Sequence, residues 1–349
     1  MAIRKTWPLV VTAISILLAG CATGPKRYFK RQVGESVVLI GEEPAALAHT
    51  PVTGQPVIVR STYMPLQRGA ANYLEGLDFV VDYTHGTIRR STGSGLPNFR
   101  NNILFGQEEF DHSKFPGFGN APYFAYVDYW YVPTAPWPSQ PPQTRFLSST
   151  LAKLEAGKTV KIVAFGDSIT AGGDASKPEL VFWRLWAQDL VRNHPRASIS
   201  TVNGATGGDT TVQGLERLQA KVLDQKPDLV LIGFGMNDHN VGGVPIPQFE
   251  QNLKQMIARV RNEAGAEVIL FSTFPPNPKW AFGSHHMADY ALATGRVAQE
   301  TGCAYADVFN NWQTVAARKK PEDLLGNNIN HPNDFGHWIY FRVFQELGL

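Results

Sequence analysis

Residues 159–170 read TVKIVAFGDSIT and begin the part of the chain in which strands and helices alternate. The first seven residues are mostly apolar or β-branched, which is typical of a strand buried on both faces of a sheet. Gly166, Asp167 and Ser168 follow directly, and these residue types mark a turn from a strand into a helix. The stretch therefore predicts the first strand of a parallel sheet, with polar side chains at its carboxyl end.

The same alternation continues to the C-terminus. Largely apolar strands are predicted at 198–202, 228–234, 267–273 and 304–309. Between them, apolar side chains recur three and four residues apart, which is the period of an amphipathic helix. Alternating strands and helices form a parallel sheet covered on both faces, so we expect an α/β fold with a parallel five-stranded sheet. Ligands of such sheets bind at the carboxyl ends of the strands, and functional residues are expected there.

The composition limits both the architecture and the function. The chain has 349 residues, more than a single hydrophobic core usually serves, so two domains are expected. Hydrophobic residues make up 43% of the chain, which excludes a disordered protein. The formal net charge is +2 without a long basic run, so the composition does not support a nucleic-acid partner. Two cysteines exclude a disulfide framework and a cysteine-rich metal site.

The first residues, MAIRKTWPLVVTAISILLAGC, have the pattern of a targeting segment. Basic residues come first, and the apolar stretch at 7–19 is shorter than the ~20 residues that cross a bilayer as a helix. The ending at Cys21 resembles a bacterial lipobox, which implies a lipoprotein signal peptide at 1–20 and acylation of Cys21. An ordinary signal peptide and an uncleaved anchor are the alternatives.

The lipobox resemblance also implies a location. Ala22 follows the cysteine, where an aspartate would indicate retention in the inner membrane. We therefore expect a cell-envelope lipoprotein on the outer membrane, facing the periplasm. Acyl chains on Cys21 hold such a protein on the membrane, here through a tether at 21–30.

A region without helical periodicity, residues 31–134, precedes the alternating part. Short runs rich in β-branched and aromatic residues are separated there by turn-forming residues. These runs lie at 37–40, 56–63, 78–83, 86–91 and 123–132. His85 and Gly86 predict a hairpin between the third run and the fourth. We expect a small β-sandwich at 31–134, a proline-rich linker at 135–157 and the α/β domain at 158–349.

Three further segments place polar groups or glycines where they could act together with Ser168. NGATGGDT at 203–210 contains Gly208, GMND at 235–238 contains Asn237, and NINHPNDFGH at 328–337 contains His331. A serine at the start of a helix can expose its hydroxyl beside backbone N–H groups. A glycine lets a backbone N–H approach a ligand closely, and an asparagine offers an amide donor. Singly, each segment is also explained as a turn or a cap; their order is the more specific signal.

In this order the segments resemble the SGNH (GDSL-type) hydrolase superfamily, over residues 159–349. The resemblance implies a flavodoxin-like sheet, an esterase activity and no metal or cofactor. It assigns Ser168 as the nucleophile and His331 as the general base. It also implies an oxyanion hole made of the Ser168 N–H, the Gly208 N–H and the Asn237 side chain. The chemistry needs these parts, because a serine hydroxyl must lose its proton to a base and the intermediate carries an oxyanion.

The chain departs from the family pattern at the acid. The family usually has aspartate three residues before the histidine, and this chain has Asn328. We expect a working Ser–His pair oriented by Asn328 or by a backbone carbonyl, since an asparagine oxygen can accept a bond from an imidazole N–H. An acid supplied from elsewhere and an inactive site are the other interpretations. Asp334 and His337 form the rival acid/base pair, and otherwise are expected to be cap and helix-surface residues.

The substrate class is predicted less sharply than the reaction. A β-rich domain before such a hydrolase domain is similar to the arrangement in some carbohydrate esterases, which implies O-deacetylation of a carbohydrate or envelope glycan. The alternatives are a lipase, lysophospholipase or acyl-thioesterase, and a non-catalytic glycan-binding lipoprotein. A long acyl chain would need an apolar groove beside Ser168, whereas a shallow polar cleft favours acetyl esters. His285, His286 and Asp289 lack a further ligand and are expected to be loop and helix-start residues.

Overall fold

The structure is a computed structural model that describes residues 28–134 and 140–349. The predicted signal peptide, Cys21 and most of the predicted tether lie outside the described residues. The strands are β1 at Lys30–Val38, β2 at Ala45–Ala46, β3 at Ile58–Arg60, β4 at Asn72–Tyr73, β5 at Phe79–Asp82, β6 at Thr87–Arg90, β7 at Phe124–Tyr131, β8 at Thr159–Gly166, β9 at Ser198–Asn203, β10 at Leu229–Gly233, β11 at Glu267–Phe271 and β12 at Ala304–Ala306.

The helices follow the same chain order. They are α1 at Ser148–Glu155, α2 at Ser168–Ala171, α3 at Phe182–Asn193, α4 at Thr211–Lys221, α5 at Ile246–Arg259, α6 at Met287–Thr301, α7 at Val308–Ala316, α8 at Pro321–Leu324 and α9 at Asp334–Gln345. A π-helical turn at Val260–Ala264 continues α5. Short 3₁₀ turns lie at Phe99–Asn101, His112–Lys114, Ala121–Tyr123, Thr144–Phe146, Pro178–Leu180 and Leu223–Gln225. Within the described ranges, no helix is long and apolar enough to cross a bilayer.

The N-terminal domain consists of two antiparallel sheets. One has the strand order β1-β7-β3-β4 and the other β2-β6-β5. Alternating side chains of both sheets, among them Val37, Val59, Phe79, Ile88 and Val127, share one hydrophobic core. Side chains alternate across a strand, so each sheet can bury one face against the other. This confirms the β-rich N-terminal region, and β5 and β6 pair as the predicted hairpin.

The second domain is built on a parallel sheet with the order β12-β11-β10-β8-β9. Each neighbouring pair of these strands is parallel, which confirms the predicted five-stranded α/β fold. Helices α4, α5 and α6 pack side by side, and α9 packs against α3 and α7. The central strands β8 and β10 are almost entirely buried, as their apolar sequences predict.

Two local predictions need correction. The predicted linker at 135–157 includes α1, whose first N–H groups, those of Ser149 and Thr150, each donate to the Glu267 carboxylate at 2.8 Å. The predicted strand at 304–309 ends at Ala306, because the Asp307 side chain accepts a bond from Asn310 N and caps α7. In the first case a distant residue stabilises the start of the helix. In the second, the Asp307 cap outweighs the β propensity of Val308 and Phe309, which follow it.

The two domains are in contact along the last part of the chain. Strand β1 packs against α8 and against α9. At this boundary the buried Lys319 ammonium lies 2.9 Å from the Glu35 carboxylate and 3.7 Å from that of Asp323. Buried charges are tolerated when they are paired in this way, so the N-terminal domain is joined to the second domain by a specific polar interface.

Candidate active site

Ser168 lies at the carboxyl end of β8 and is the first residue of α2. Asp167 caps this helix, because its side chain accepts a 2.9 Å bond from Ile169 N. At Gly166 a Cβ atom would lie 2.2 Å from Gly233 O, so only glycine lets β8 and β10 approach this closely. The Ser168 hydroxyl lies 2.9 Å from His331 Nε2, within hydrogen-bond distance. The two strongest sequence candidates therefore meet, although 163 residues separate them.

The other imidazole nitrogen of His331 faces a carboxylate that sequence reasoning did not identify. Asp174 Oδ2 lies 3.3 Å from His331 Nδ1. Asp174 follows Gly172 and Gly173 in the loop after α2, and 40% of its side chain is exposed. Asp174 is only six residues from Ser168, and no spacing pattern pointed to it. Among the three interpretations given above, this geometry matches an acid supplied from elsewhere.

Asn328 does not contact His331 in the way the sequence predicts. Its side-chain oxygen accepts bonds from Asn120 Nδ2 at 3.2 Å and Asn277 Nδ2 at 3.3 Å. The residue is buried with φ +59°, a left-handed conformation that asparagine tolerates better than most residues. Asn328 thus shapes the turn before His331, and Asp174 takes the place beside the imidazole that the sequence assigned to Asn328.

The rival pair, Asp334 and His337, has separate partners. Asp334 accepts a 2.7 Å bond from Ser176 N, and His337 Nε2–H donates to Gly172 O at 2.9 Å. Both residues are buried, so the expectation that they lie at the helix surface is wrong. Asn333, rather than Asp334, caps α9 by accepting from Gly336 N. Burial lowers the pKa of His337 to about 4, so this imidazole stays neutral near neutral pH and supports the loop after Ser168.

The predicted oxyanion donors lie at the neighbouring strand ends. A Cβ atom at Gly207 would lie 3.7 Å from Ser168 Cβ, so the segment after β9 runs beside the serine. Gly208 has φ +80°, a conformation that favours glycine, and its Cα faces open space. Asn237 Nδ2 donates one hydrogen to Asp209 O at 2.9 Å, which ties the end of β10 to this segment. The three candidate donors are therefore held on adjoining segments.

Two buried carboxyl groups, those of Asp167 and Asp238, accept hydrogen bonds from the backbone near these strand ends. Asp238 accepts bonds from Thr211 N at 2.9 Å and Thr211 Oγ1 at 2.6 Å, which fixes the start of α4 beside β10. Burial raises the pKa of Asp238 to about 6 and that of Asp167 to about 7. In both cases removal from water outweighs the hydrogen bonds that favour the charged form. These groups position backbone segments around Ser168.

A cleft with a volume of about 490 Å³ opens beside Ser168 and His331. Its other lining residues are Ala171, Gly172, Gly173, Ala175, Ser176, Lys177, Pro178, Val181, Arg184, Asn203 and Gly207. Most of these side chains are small or polar, and the two cationic ones come from the segment before α3 and from α3 itself. The cleft therefore has room for a short acyl group and offers polar groups to the rest of a substrate.

His239, Trp280 and the predicted loop residues His286 and Asp289 do not line this cleft. His239 is buried, and its Nδ1–H donates to Met236 O at 2.5 Å. His286 contacts Asp289 at 3.2 Å on an exposed helix start. Trp280 is buried in a cluster with Leu104, and this cluster is separate from the cleft. In residues 28–134 and 140–349, no group of three histidine, cysteine, aspartate or glutamate side chains is arranged to hold a metal ion.

A protein-family model matches the part of the chain that contains this site. Residues 164–339 match the family model described as GDSL-like Lipase/Acylhydrolase. The matched range includes Ser168, Asp174, Gly208, Asn237 and His331 and leaves the N-terminal domain outside.

Three curated relatives are similar to about half of this chain. An arylesterase of Vibrio mimicus is 33% identical over 187 residues, which cover 54% of this chain and 88% of the relative. The uncharacterized lipoprotein YqeF of Bacillus subtilis (strain 168) is 31% identical over 173 residues, or 48% of this chain and 70% of its own length. An acetylxylan esterase of Geobacillus stearothermophilus is 24% identical over 216 residues, which cover 56% of this chain and 97% of the relative.

Proposed function

The chain belongs to the GDSL-like lipase/acylhydrolase family and is an ester hydrolase, and from this premise we propose that it removes O-acetyl groups from a carbohydrate by a serine mechanism. The observation that carries the mechanism is the 2.9 Å contact between the Ser168 hydroxyl and His331 Nε2. A neutral imidazole at this distance can take the serine proton, which makes the hydroxyl a nucleophile.

The proposed reaction has two steps, acylation of Ser168 and hydrolysis of the resulting acyl-enzyme. Ser168 Oγ attacks the ester carbonyl carbon while His331 Nε2 takes the hydroxyl proton. The oxyanion of the tetrahedral intermediate is stabilised by the N–H groups of Ser168 and Gly208 and by the amide of Asn237. When the intermediate collapses, His331 returns the proton to the leaving alcohol, and an acyl group remains on Ser168. In the second step a water molecule attacks the acyl carbonyl carbon while His331 Nε2 takes a proton from it. Collapse of this second intermediate breaks the bond to Ser168 Oγ and releases the carboxylic acid, and His331 returns the proton to the serine oxygen.

Asp174 has a distinct part in this proposal. His331 becomes an imidazolium each time it holds the proton, and a carboxylate 3.3 Å from Nδ1 stabilises that charge. The same contact favours the tautomer with hydrogen on Nδ1, which leaves Nε2 free to accept from Ser168. Asp174 therefore takes the role of the acid that the family pattern places three residues before the histidine.

The shape and chemistry of the cleft support a short acyl group on a hydrophilic alcohol. Among the described residues, its lining includes no phenylalanine, tyrosine or tryptophan and no leucine, isoleucine or methionine, and Lys177 and Arg184 line it together with Asn203. A fatty acyl chain gains most of its binding energy by burying CH₂ groups, at ~0.8 kcal/mol each. The apolar side chains of the lining, those of Ala171, Ala175, Pro178 and Val181, are all short, which favours a short acyl group. The name of the acetylxylan esterase relative points to the same substrate class.

The site of action is also a proposal. We infer a lipoprotein anchored through Cys21 in the outer membrane and facing the periplasm, where acetylated envelope glycans would be within reach. The lipobox-like ending at Cys21 supports this, and one relative is named a lipoprotein. Fractionation of cells that express the full chain and Cys21→Ser tests it. We expect the full chain in the outer-membrane fraction and the variant released from it; equal membrane association of both would contradict the anchor.

The catalytic test compares p-nitrophenyl acetate with p-nitrophenyl octanoate, using the protein from residue 22 and Ser168→Ala. We expect hydrolysis of the acetate that is lost in the variant, and release of acetate from acetylated xylo-oligosaccharides. A preference for octanoate would favour the lipase or thioesterase alternative. If wild-type protein neither hydrolyses an ester nor reacts with a fluorophosphonate at Ser168, the serine mechanism is wrong, and a non-catalytic glycan-binding role becomes the leading hypothesis.

A further inference from the structure

The loop that carries His331 is a narrow turn between α8 and α9. Its backbone is tied together by Gly326 N, which donates to His331 O at 2.9 Å. Inside the turn, the Asn327 side-chain oxygen accepts bonds from three backbone N–H groups, including that of His331 at 2.9 Å. These bonds set the local shape of the loop. They do not fix where the whole loop lies relative to Ser168.

Asn120 of the N-terminal domain hydrogen-bonds to the first residues of this loop. Its backbone N–H donates to Gly326 O at 2.7 Å, and its side chain Nδ2 donates to Leu325 O at 2.9 Å. The same amide lies 3.2 Å from Asn328 Oδ1. Asn120 is fully buried, and Asn102 orients its side chain by donating to Oδ1 at 3.2 Å. A buried amide with this many partners can hold two backbone segments in one relative position.

Gly326, whose carbonyl accepts the Asn120 N–H, packs against Asp174. A Cβ atom at Gly326 would lie 2.2 Å from Asp174 Cβ. Gly326 therefore touches Asp174 on one side, bonds to His331 O through its N–H and receives the Asn120 N–H at its own carbonyl. A shift of the Asn120 contact would move Gly326 and, with it, both partners of the 3.3 Å contact.

The N-terminal domain also holds the two ends of the segment. Asp323, in α8, accepts a 2.7 Å bond from Val38 N, and its carboxylate lies near the buried Lys319–Glu35 pair. At the other end, Asn333 Nδ2 donates to Ser36 Oγ at 2.9 Å. Strand β1 thus holds the residues before and after the histidine loop, and Asn120 holds its first part. The middle is held from within the second domain by Asn277, which donates to Ile329 O at 2.7 Å and to Asn328 O at 2.9 Å.

We propose that the N-terminal β-rich domain is a scaffold for the catalytic histidine and that Asn120 is a positioning residue for His331 and Asp174. This inference rests on the proposed function, since it assigns a role within that serine mechanism. It gives the domain a function that does not require a ligand of its own: the two domains together form one catalytic unit. Asn120 touches neither substrate nor the reacting atoms: its backbone N–H holds Gly326, and its side chain holds the adjoining Leu325 and Asn328, which the side-chain variants release.

The test uses the protein from residue 22 and the variants Asn120→Ala, Asn120→Asp and Gly326→Ala. Asn120→Asp keeps the shape of the side chain but removes the donor to Leu325 O. Gly326→Ala leaves the N-terminal domain untouched and pushes on Asp174. We expect kcat on p-nitrophenyl acetate to fall at least 20-fold in each variant, while KM changes less than threefold. The rate of fluorophosphonate labelling at Ser168 should fall in parallel.

Asn98→Ala is the matched control. Asn98 is in the same domain, and its side-chain oxygen accepts bonds from Gly41 N and Arg100 N, away from the histidine loop. We expect it to lower the melting temperature but to keep kcat within twofold at a temperature where all variants are folded. Hydrogen exchange in residues 324–333 should accelerate in the Asn120 variants and stay unchanged in the control.

The outcomes separate this inference from the proposed function. If wild-type activity depends on Ser168 but the Asn120 and Gly326 variants retain kcat within threefold, the scaffold role is wrong and the mechanism stands. If Asn98→Ala loses as much activity as Asn120→Ala at equal stability, the effect is general destabilisation and the inference again fails. If the wild type shows no Ser168-dependent activity, both are overturned.

Discussion

Replacing Asp174 by asparagine is the most direct test of how the active site is completed. The substitution keeps the size of the side chain and removes the negative charge that lies 3.3 Å from His331 Nδ1. In the proposed mechanism that charge stabilises the His331 imidazolium and favours the Nδ1–H tautomer of the neutral ring, so its loss should slow the chemical steps more than it weakens substrate binding. Asp174→Asn is therefore expected to lower kcat with little change in KM.

The expected magnitude follows from the distance and the exposure. Two unit charges 3.3 Å apart attract by ~1.3 kcal/mol in bulk water and by ~5 kcal/mol at an effective dielectric constant of about 20. Because 40% of the Asp174 side chain is exposed, solvent screening places the value in the lower half of this interval. A loss of about 1.5–3 kcal/mol in the transition state corresponds to a roughly 10- to 150-fold lower kcat.

The assay is hydrolysis of p-nitrophenyl acetate by wild type, Asp174→Asn, Asn328→Asp and the control Glu179→Gln. Glu179 is a nearby exposed acid, so its variant removes one charge without touching His331. Asn328→Asp restores the family residue, but its carboxylate would be buried against Asn120 and Asn277, and we expect no gain in activity. The reasoning is refuted if Asp174→Asn keeps kcat within twofold of wild type, or if Asn328→Asp raises it severalfold.

Two predictions concern stability and pH. Burial raises the pKa of Asp167 to about 7, so between pH 4 and 7 the folded protein keeps a proton that the unfolded chain releases, and stability falls as pH rises. Asp167→Asn keeps the cap. Relative to wild type, its free energy of unfolding in urea should rise by about 2–3 kcal/mol between pH 5 and pH 8, and a difference that is the same at both pH values would contradict this. Burial lowers the pKa of His337 to about 4, so stability is lost as pH falls from about 6.5 through 4, where the unfolded imidazole binds a proton first. His337→Gln should therefore show a smaller drop in melting temperature between pH 7 and pH 4.5 than wild type, and parallel drops would exclude this cause.

Much of the fold could be predicted because the signals are local. The apolar run before Gly166 and the period of the helices depend on residues that are close in sequence, and so does the hairpin turn at His85-Gly86. Ser168 and His331 could be named for a related reason, because each is embedded in a short segment whose neighbours identify it. Local rules failed at α1, which is held by Glu267 more than a hundred residues later in the chain.

By itself, then, the sequence determined the alternation of strands and helices in the second domain and singled out Ser168 and His331 as candidates, since periodicity, turn chemistry and short motifs are properties of neighbouring residues. The tertiary structure decided which carboxylate faces His331 and what holds the histidine loop. Asp174 reaches His331 because a loop after α2 passes Gly326, and Asn120 reaches that loop from another domain. Such contacts join segments about 150–200 residues apart and depend on how the domains pack, which no local pattern encodes.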